Sequence, residues 1–489
     1  MGWPSGSAEM MMKHDYQRLS LVQLRKGCKR PEVGLLQSAM AHLGYYKGAI
    51  DNWFGRATQG RQGSDGRPVD GLVRFQADHG LDQDGVAGKI TQTLLLRQAE
   101  AAGWKPELRL QIQSVITYFE TSTTMDAYGM SESDIGDGAG ANYGFMQSNS
   151  LGSVEHVLKL AGAEHLVDVY RGSGKSEEWI REWLVRPGVA QRSPTIRKIA
   201  NRAREELKIE EDDMPGIEEW AGRPDLAKYW RDAIEDFPRA YLDIPNPTIQ
   251  SWFGSVKGIE AQDVYFDEVV LRVAKRQMKD LPEICDWEGH PKLHRYWERA
   301  LLLFCDTVIQ NGGMWSSYAR PFWKDTVGVD SYPPRHKLME LYTGTWWDGL
   351  LGKYIPYKDL KELWWAELKR QEAAHEGKPR TAKRAANREL CRRIMEENIP
   401  EDDPVSKLVL LAQWRARTSS PKWWYIAVAC RRMLDATGHG VVNGATIDLV
   451  ADYRLGVQRD PDEKSPGRTI RETYLKDHHA DILEKLGIG

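Results

Sequence analysis

One eight-residue pattern occurs twice near the front of the chain: Asp51-Asn52-Trp53-Phe54-Gly55-Arg56-Ala57-Thr58 and Asp84-Gly85-Val86-Ala87-Gly88-Lys89-Ile90-Thr91. Both copies read D-x-x-[FA]-G-x-x-T. The aspartate closes a turn through its side chain, the glycine takes a conformation other residues avoid, and the threonine or its neighbour starts a helix. Apolar residues precede each copy at helical spacing, with Leu35, Leu36, Met40 and Leu43 before the first and Leu72, Val73, Phe75 and Leu81 before the second. The echo predicts two stacked turn-then-helix units.

The stretch "VGLLQSAMAHLGYYKGAIDNWFGRATQG…GLVRFQADHGLDQDGVAGKITQTLL" resembles the common three-helix peptidoglycan-binding module. Asn52 stands where that family carries glycine, and Arg61–Asp70 is an additional loop. The resemblance implies a module over residues 31–100, after an extension at 1–30, that contacts peptidoglycan. The residues it implies for that contact are Tyr45, Tyr46, Asp51, Trp53 and Phe75.

At 489 residues the chain has room for two to four compact units. A formal charge of −3 gives no reason to expect nucleic acid as a partner, and no apolar run is long enough to expect membrane insertion. Nineteen tryptophans and nineteen tyrosines against nine phenylalanines favour rings that stack and hydrogen-bond at once. The five cysteines are scattered without ligand spacing, so free thiols are expected, with no metal and no cofactor. His290 and His294 are four apart but lack a third ligand nearby, which favours ordinary surface or core histidines. The opening MGWPSGSAEMMMKHDYQ has no signal-peptide core, so synthesis in the cytoplasm is expected.

Residues 107–120, "ELRLQIQSVITYFE", place Leu108, Ile112, Val115, Ile116 and Phe119 on one face of a helix whose last turn carries Glu120. A carboxyl packed beside apolar residues is partly desolvated, which raises its pKa toward that of a general acid. The stretch that follows, "ESDIGDGAGANYGFMQSN" at 132–149, combines acids with glycines that allow close backbone approach. An inverting glycosidase holds its two carboxyls roughly 6.5–9.5 Å apart. Glu120 and Asp137 are the pair this pattern offers.

"YFETSTTMDAYGMSESDIGDGAGANYGF" resembles the start of the chitosanase family of glycoside hydrolases. That resemblance implies Glu120 as general acid and Asp137 as general base. The family's water-holding threonine falls at Asn142 here, and its amine-reading aspartate falls near Ser153, departures that weaken chitosan as the substrate. Tyr143 joins Ser153 as an implied substrate contact. Collinear likeness returns in "DVYFDEVVLRVAKRQM" (263–278), "ALLLFCDTVIQNGG" (300–313) and "ATGHGVVNGATIDLVADYRLG" (436–456). The implied fold is mainly α: a small three-helix binding module plus a two-lobed lysozyme-like, chitosanase-like α+β catalytic domain. That domain would span 105–460, with insertions near 160–250 and 335–400 and a tail at 461–489.

Together the two resemblances imply a muramidase-like peptidoglycan hydrolase. Such a protein would reach the wall by phage-type release or dedicated secretion, as an endolysin or an antibacterial effector with an immunity partner. "YGFMQ" (143–147) is also similar to the "GLMQ" strand of lytic transglycosylases, which would leave Glu120 to act alone. The same residues are compatible with a chitosanase, or with a wall-binding protein that has no activity. The Trp pairs at 346–347, 364–365 and 423–424 are read as core or as stacking platforms, and the basic run 369–393 as a solvated insertion.

Overall fold

The computed structural model describes residues 20–134, 139–171, 175–186, 188–290, 293–315, 357–401, 403–417 and 431–456 apart from 433, 437, 443 and 444. Asp137 and the Trp pairs at 346–347 and 423–424 lie outside these residues, as do the extension before residue 20 and the tail. What is described is mainly α. Three short antiparallel strands, β1 (Ser131–Glu132), β2 (Asn142–Tyr143) and β3 (Ser148–Asn149), form one sheet, and β4 (His439–Val442) pairs with β5 (Ala445–Asp448).

The echoed pattern folds as two equivalent turns, each strapped by a glutamine. Gln37 Nε2 donates to Asp51 Oδ1 at 2.7 Å, to the Trp53 carbonyl at 3.1 Å and to Thr58 Oγ1 at 3.0 Å. Gln76 Nε2 repeats this on Asp84 Oδ1 at 2.8 Å and the Val86 carbonyl at 3.1 Å. Helices Pro31–His42, Gly71–Asp78 and Lys89–Ala101 close over a core of Leu35, Leu36, Phe54, Leu72, Phe75 and Leu95.

Helix Leu108–Thr121 is expected to be amphipathic, yet nearly every residue from Leu110 to Phe119 is buried. The helix lies between the N-terminal module and the large core, and most of its polar side chains find partners inside, although among the described residues none meets Thr117 Oγ1. Gln111 donates to the carbonyls of Tyr453 and Arg454 at 3.1 and 2.6 Å, and Gln113 donates to Asp263 at 3.0 Å. Burying Leu110, Ile112, Val115, Ile116 and Phe119 contributes on the order of 10 kcal/mol before chain entropy is subtracted.

The large core also takes in helices Val256–Tyr265, His294–Asn311, Tyr357–Ala374, Pro379–Asn398 and Pro404–Arg417. A π-helical turn at Phe266–Leu271 interrupts the run from 256 to 278, a local widening of the helical ladder. Trp364 is buried and donates to Asn387 Oδ1 at 2.8 Å, whereas Trp365 is exposed. Residues 177–244 form a helical segment with its own core of Trp183, Ile196, Ile199, Trp220, Trp230 and Phe237.

Candidate active site

Glu120 sits in the last turn of helix Leu108–Thr121, which ends because Ser122 adopts a φ of 50°. Carbonyls at a helix C-terminus have no partner within the helix and attract cations. Arg30, fully buried and paired with Glu32 at 2.8 Å, reaches across from the N-terminal module to meet that need. Its Nη1 donates to the carbonyls of Ser122 and Thr124 at 3.1 and 2.5 Å. The turn immediately after Glu120 is thereby held by a residue about ninety positions earlier in the chain.

The Glu120 side chain is only 5% exposed. Its Oε1 accepts from Gln310 Nε2 at 2.5 Å and from Arg431 Nη2 at 2.6 Å. Arg431 also donates to Asp306 Oδ1 at 2.5 Å and lies 4.6 Å over the Phe119 ring. Asp306 and Gln310 are four apart on helix His294–Asn311, so one helical face supplies both. Burial pushes the Glu120 pKa up, and although Arg431 pulls it down the net shift is upward. Among the described residues no hydrogen bond engages Oε2, which leaves that oxygen to carry a proton. Deeper still, burial and the charge of Asp306 push Asp435 well up.

The acidic glycine stretch leaves β1 and returns in β2, with Glu132 paired to Asn142 and Ser131 to Tyr143. Both of its stems are hydrogen-bonded to one short segment. The Asp134 amide donates to the Asp243 carbonyl at 2.8 Å and the Ala141 amide to the Leu242 carbonyl at 2.7 Å. Asn142 is 9% exposed on β2, also pairing with Asn149 of β3. Tyr143 is buried, its hydroxyl accepts from the Asn246 amide at 2.6 Å, and burial pushes its phenol up. Ser153 accepts from the Asn149 amide at 3.1 Å at the start of helix Ser153–Leu160.

The module residues divide by exposure. Phe75 is fully buried, with its ring 5.3 Å edge-on from that of Tyr45. Tyr46 donates to the Ala49 carbonyl at 2.6 Å, and Asp51 accepts from Gln37 and the Trp53 amide. Phe75, Tyr46 and Asp51 are therefore occupied in holding the module together. Trp53, 37% exposed beneath the Lys29 ammonium at 5.2 Å, and half-buried Tyr45 face outward.

Arg431, Asp306, Gln310 and Arg30 carry no motif that marks them for the Glu120 cluster. Only Asp306 and Gln310 give a weak signal in sequence, spaced i, i+4 in "ALLLFCDTVIQNGG". His294 Nδ1 lies 3.4 Å from Glu298, and among the described residues no group of three His, Cys, Asp or Glu is arranged to hold a metal. A cavity of about 500 Å³ bounded by Glu283, Trp287, Leu293, Met395, Glu396 and Lys407 shares no residue with the Glu120 cluster. No protein-family model matches the chain, and no curated protein matches it.

Proposed function

We propose that the chain is a peptidoglycan hydrolase, a muramidase that cuts the β-1,4 glycan strand with inversion. The observation that carries this reading is the Glu120 carboxyl, nearly buried at a helix end, raised in pKa, and hydrogen-bonded through Oε1 alone among the described residues. A carboxyl of that kind holds a proton where an ordinary glutamate has lost it, which is what protonating a leaving glycosidic oxygen demands. Gln310 and Arg431 fix its orientation, so Oε2 is the donor.

Asp137, on the glycine-flanked stretch, is the proposed general base, and Asn142 the residue that holds its water. The finer architecture in this reading is the two-lobed lysozyme-like fold of the chitosanase family, with the three-strand sheet beside the cleft. The N-terminal repeats would bind the same polymer through Trp53 and Tyr45. Phage-type release or a dedicated secretion apparatus would deliver the protein to the wall, and an effector role would bring an immunity partner.

The test is mass spectrometry of soluble fragments from purified peptidoglycan digested by the full chain, with Glu120→Gln alongside. Disaccharide muropeptides with unmodified reducing ends, absent with the variant, are expected. Anhydro ends would reassign the chemistry to a lytic transglycosylase using Glu120 alone. Fragments from chitosan but not from peptidoglycan would make the chain a chitosanase, and fragments from neither would overturn the enzymatic reading.

A further inference from the structure

The segment at 177–244 ends where the acidic glycine stretch is held. Helix Phe237–Leu242 closes the segment's own core, and the next residues form a strap under the three-strand sheet. Three anchors run from it to the site: the Asp243 carbonyl to the Asp134 amide, the Leu242 carbonyl to the Ala141 amide, and the Asn246 amide to the Tyr143 hydroxyl. The first two lie on opposite stems of the same loop, so any shift of 242–243 moves both together. Gly140, between the stems at a φ of +82°, is tightly enclosed: an added Cβ would come within 3.0 Å of Ser150 Cβ and 3.1 Å of the Leu242 carbonyl oxygen.

What holds the strap is the Asp243 side chain, which is 1% exposed. Its Oδ2 accepts from Ser193 Oγ at 3.1 Å, from the Thr195 amide at 3.0 Å and from Thr195 Oγ1 at 2.6 Å. These donors stand at the N-terminus of helix Pro194–Leu207, a principal wall of the segment's core. One buried residue thus grips the segment with its carboxylate and the loop stem with its backbone carbonyl. Charge-assisted bonds of this kind are the strong ones, and a helix N-terminus is where a carboxylate is best stabilised.

We infer that the helical segment 177–244 is a clamp that fixes β2 and the Asp134 and Ala141 stems beside it, with Asp243 as its positioning residue. The inference rests on the hydrolase reading for its catalytic consequence, but not for the mechanical one. Because all three donors converge on a single oxygen, Asp243→Asn can keep an acceptor there while Asp243→Ala cannot.

The experiment is hydrogen–deuterium exchange by mass spectrometry on the full chain, paired with muropeptide release kinetics, for Asp243→Ala, Asp243→Asn and Thr195→Val. In Asp243→Ala, exchange of the Asp134 and Ala141 amides should quicken by about tenfold or more, the scale of one lost net hydrogen bond. Helix Leu108–Thr121 should keep its protection. The rate constant kcat should fall with little change in KM, and Asp243→Asn should recover most of both effects. Thr195→Val, which removes one donor from an intact fold, should show a smaller change in the same direction and serves if Asp243→Ala does not fold. Unchanged exchange of the Asp134 and Ala141 amides in a folded Asp243→Ala or Thr195→Val protein overturns the clamp, and faster exchange with an unaltered kcat overturns its catalytic consequence. A wild-type protein that releases no fragments would instead sink the hydrolase reading, and the exchange result would still decide the mechanical half.

Discussion

Replacing Arg431 by methionine keeps most of the side-chain volume but removes the cation between two buried carboxyls. Glu120 is 5% exposed and Asp306 1%, each within 2.6 Å of the same guanidinium. Removing one member of a buried ion network leaves uncompensated charge and costs about 3–5 kcal/mol. Here the cost has a definite pH dependence. Burial already pushes Glu120 upward against the pull of Arg431, so losing Arg431 raises its folded-state pKa further. A carboxyl raised in the folded state contributes stability below its unfolded pKa and loses it as pH rises through the folded value. At pH 8, where glutamate in the unfolded chain is fully ionised, the full ~3–5 kcal/mol should be lost. Near pH 5, closer to the unfolded glutamate value of about 4.3, protonation relieves most of the penalty and about 1–2 kcal/mol should remain. Urea unfolding followed by tryptophan fluorescence at the two pH values measures the difference. An equal loss at both, or under about 1 kcal/mol at pH 8, would refute the reasoning. Arg431→Lys, which keeps the charge but not the planar guanidinium whose Nη2 reaches both carboxyls, should fall between.

Glu120→Gln should flatten the part of the stability curve that declines as pH rises above the ordinary glutamate range, measured by the same unfolding series. Glycan cleavage by the wild type should decline along its alkaline limb as the raised Glu120 proton is lost, and a limb centred at an ordinary glutamate pKa would contradict the buried geometry. Asn52 has a φ of 60° and donates to Tyr128 and Asp263 at 2.9 and 3.0 Å. Asn52→Gly keeps the backbone and should cost about 1–3 kcal/mol for the lost bonds, with Asn52→Ala about 1 kcal/mol worse, read by thermal unfolding. Gly144→Ala should cost about 2–4 kcal/mol in the same assay, because φ is +74° and the new Cβ would lie 1.9 Å from Gln262 Oε1. Gln262 cannot swing aside, since its Nε2 is held by the carbonyls of Tyr128, Phe253 and Gly258.

Local pattern suffices wherever the determining partners are near in sequence. The repeated D-x-x-[FA]-G-x-x-T turns and the helix ending in Glu120 follow from spacing, but the expected glycine conformation does not: Gly55 and Gly88 are extended helix N-caps, and the left-handed residues are Asn52 and Gly85. The burial of that helix on both sides does not, because the module that packs on Leu110 and the body that receives Gln111 and Gln113 meet it only in three dimensions. Likewise Arg431 stands 311 positions from Glu120, and nothing in its neighbourhood advertises the contact. Asn52 is visible as a departure from the repeat pattern, but its reason is not: it takes a left-handed backbone as glycine would while adding a side chain that reaches Asp263, 211 positions on. Asp243 reads in sequence as one acid among many in a stretch without a motif.

The joint made by Arg30 and Asn52 also governs how the molecule can be taken apart. A fragment beginning at residue 105 would leave the Ser122 and Thr124 carbonyls without their guanidinium and the Tyr128–Asp263 pair without its amide. It would also expose Leu110, which is buried with the N-terminal repeats. Asp263, pushed up to about 6 by burial, would keep Tyr128 and Gln113 on one oxygen but lose the Asn52 amide from the other. The repeats are accordingly a structural subunit of the larger body, not a detachable accessory on a tether. Truncation studies would then report on misfolding before anything else, and swapping the repeats for a different domain would require transplanting the joint as well.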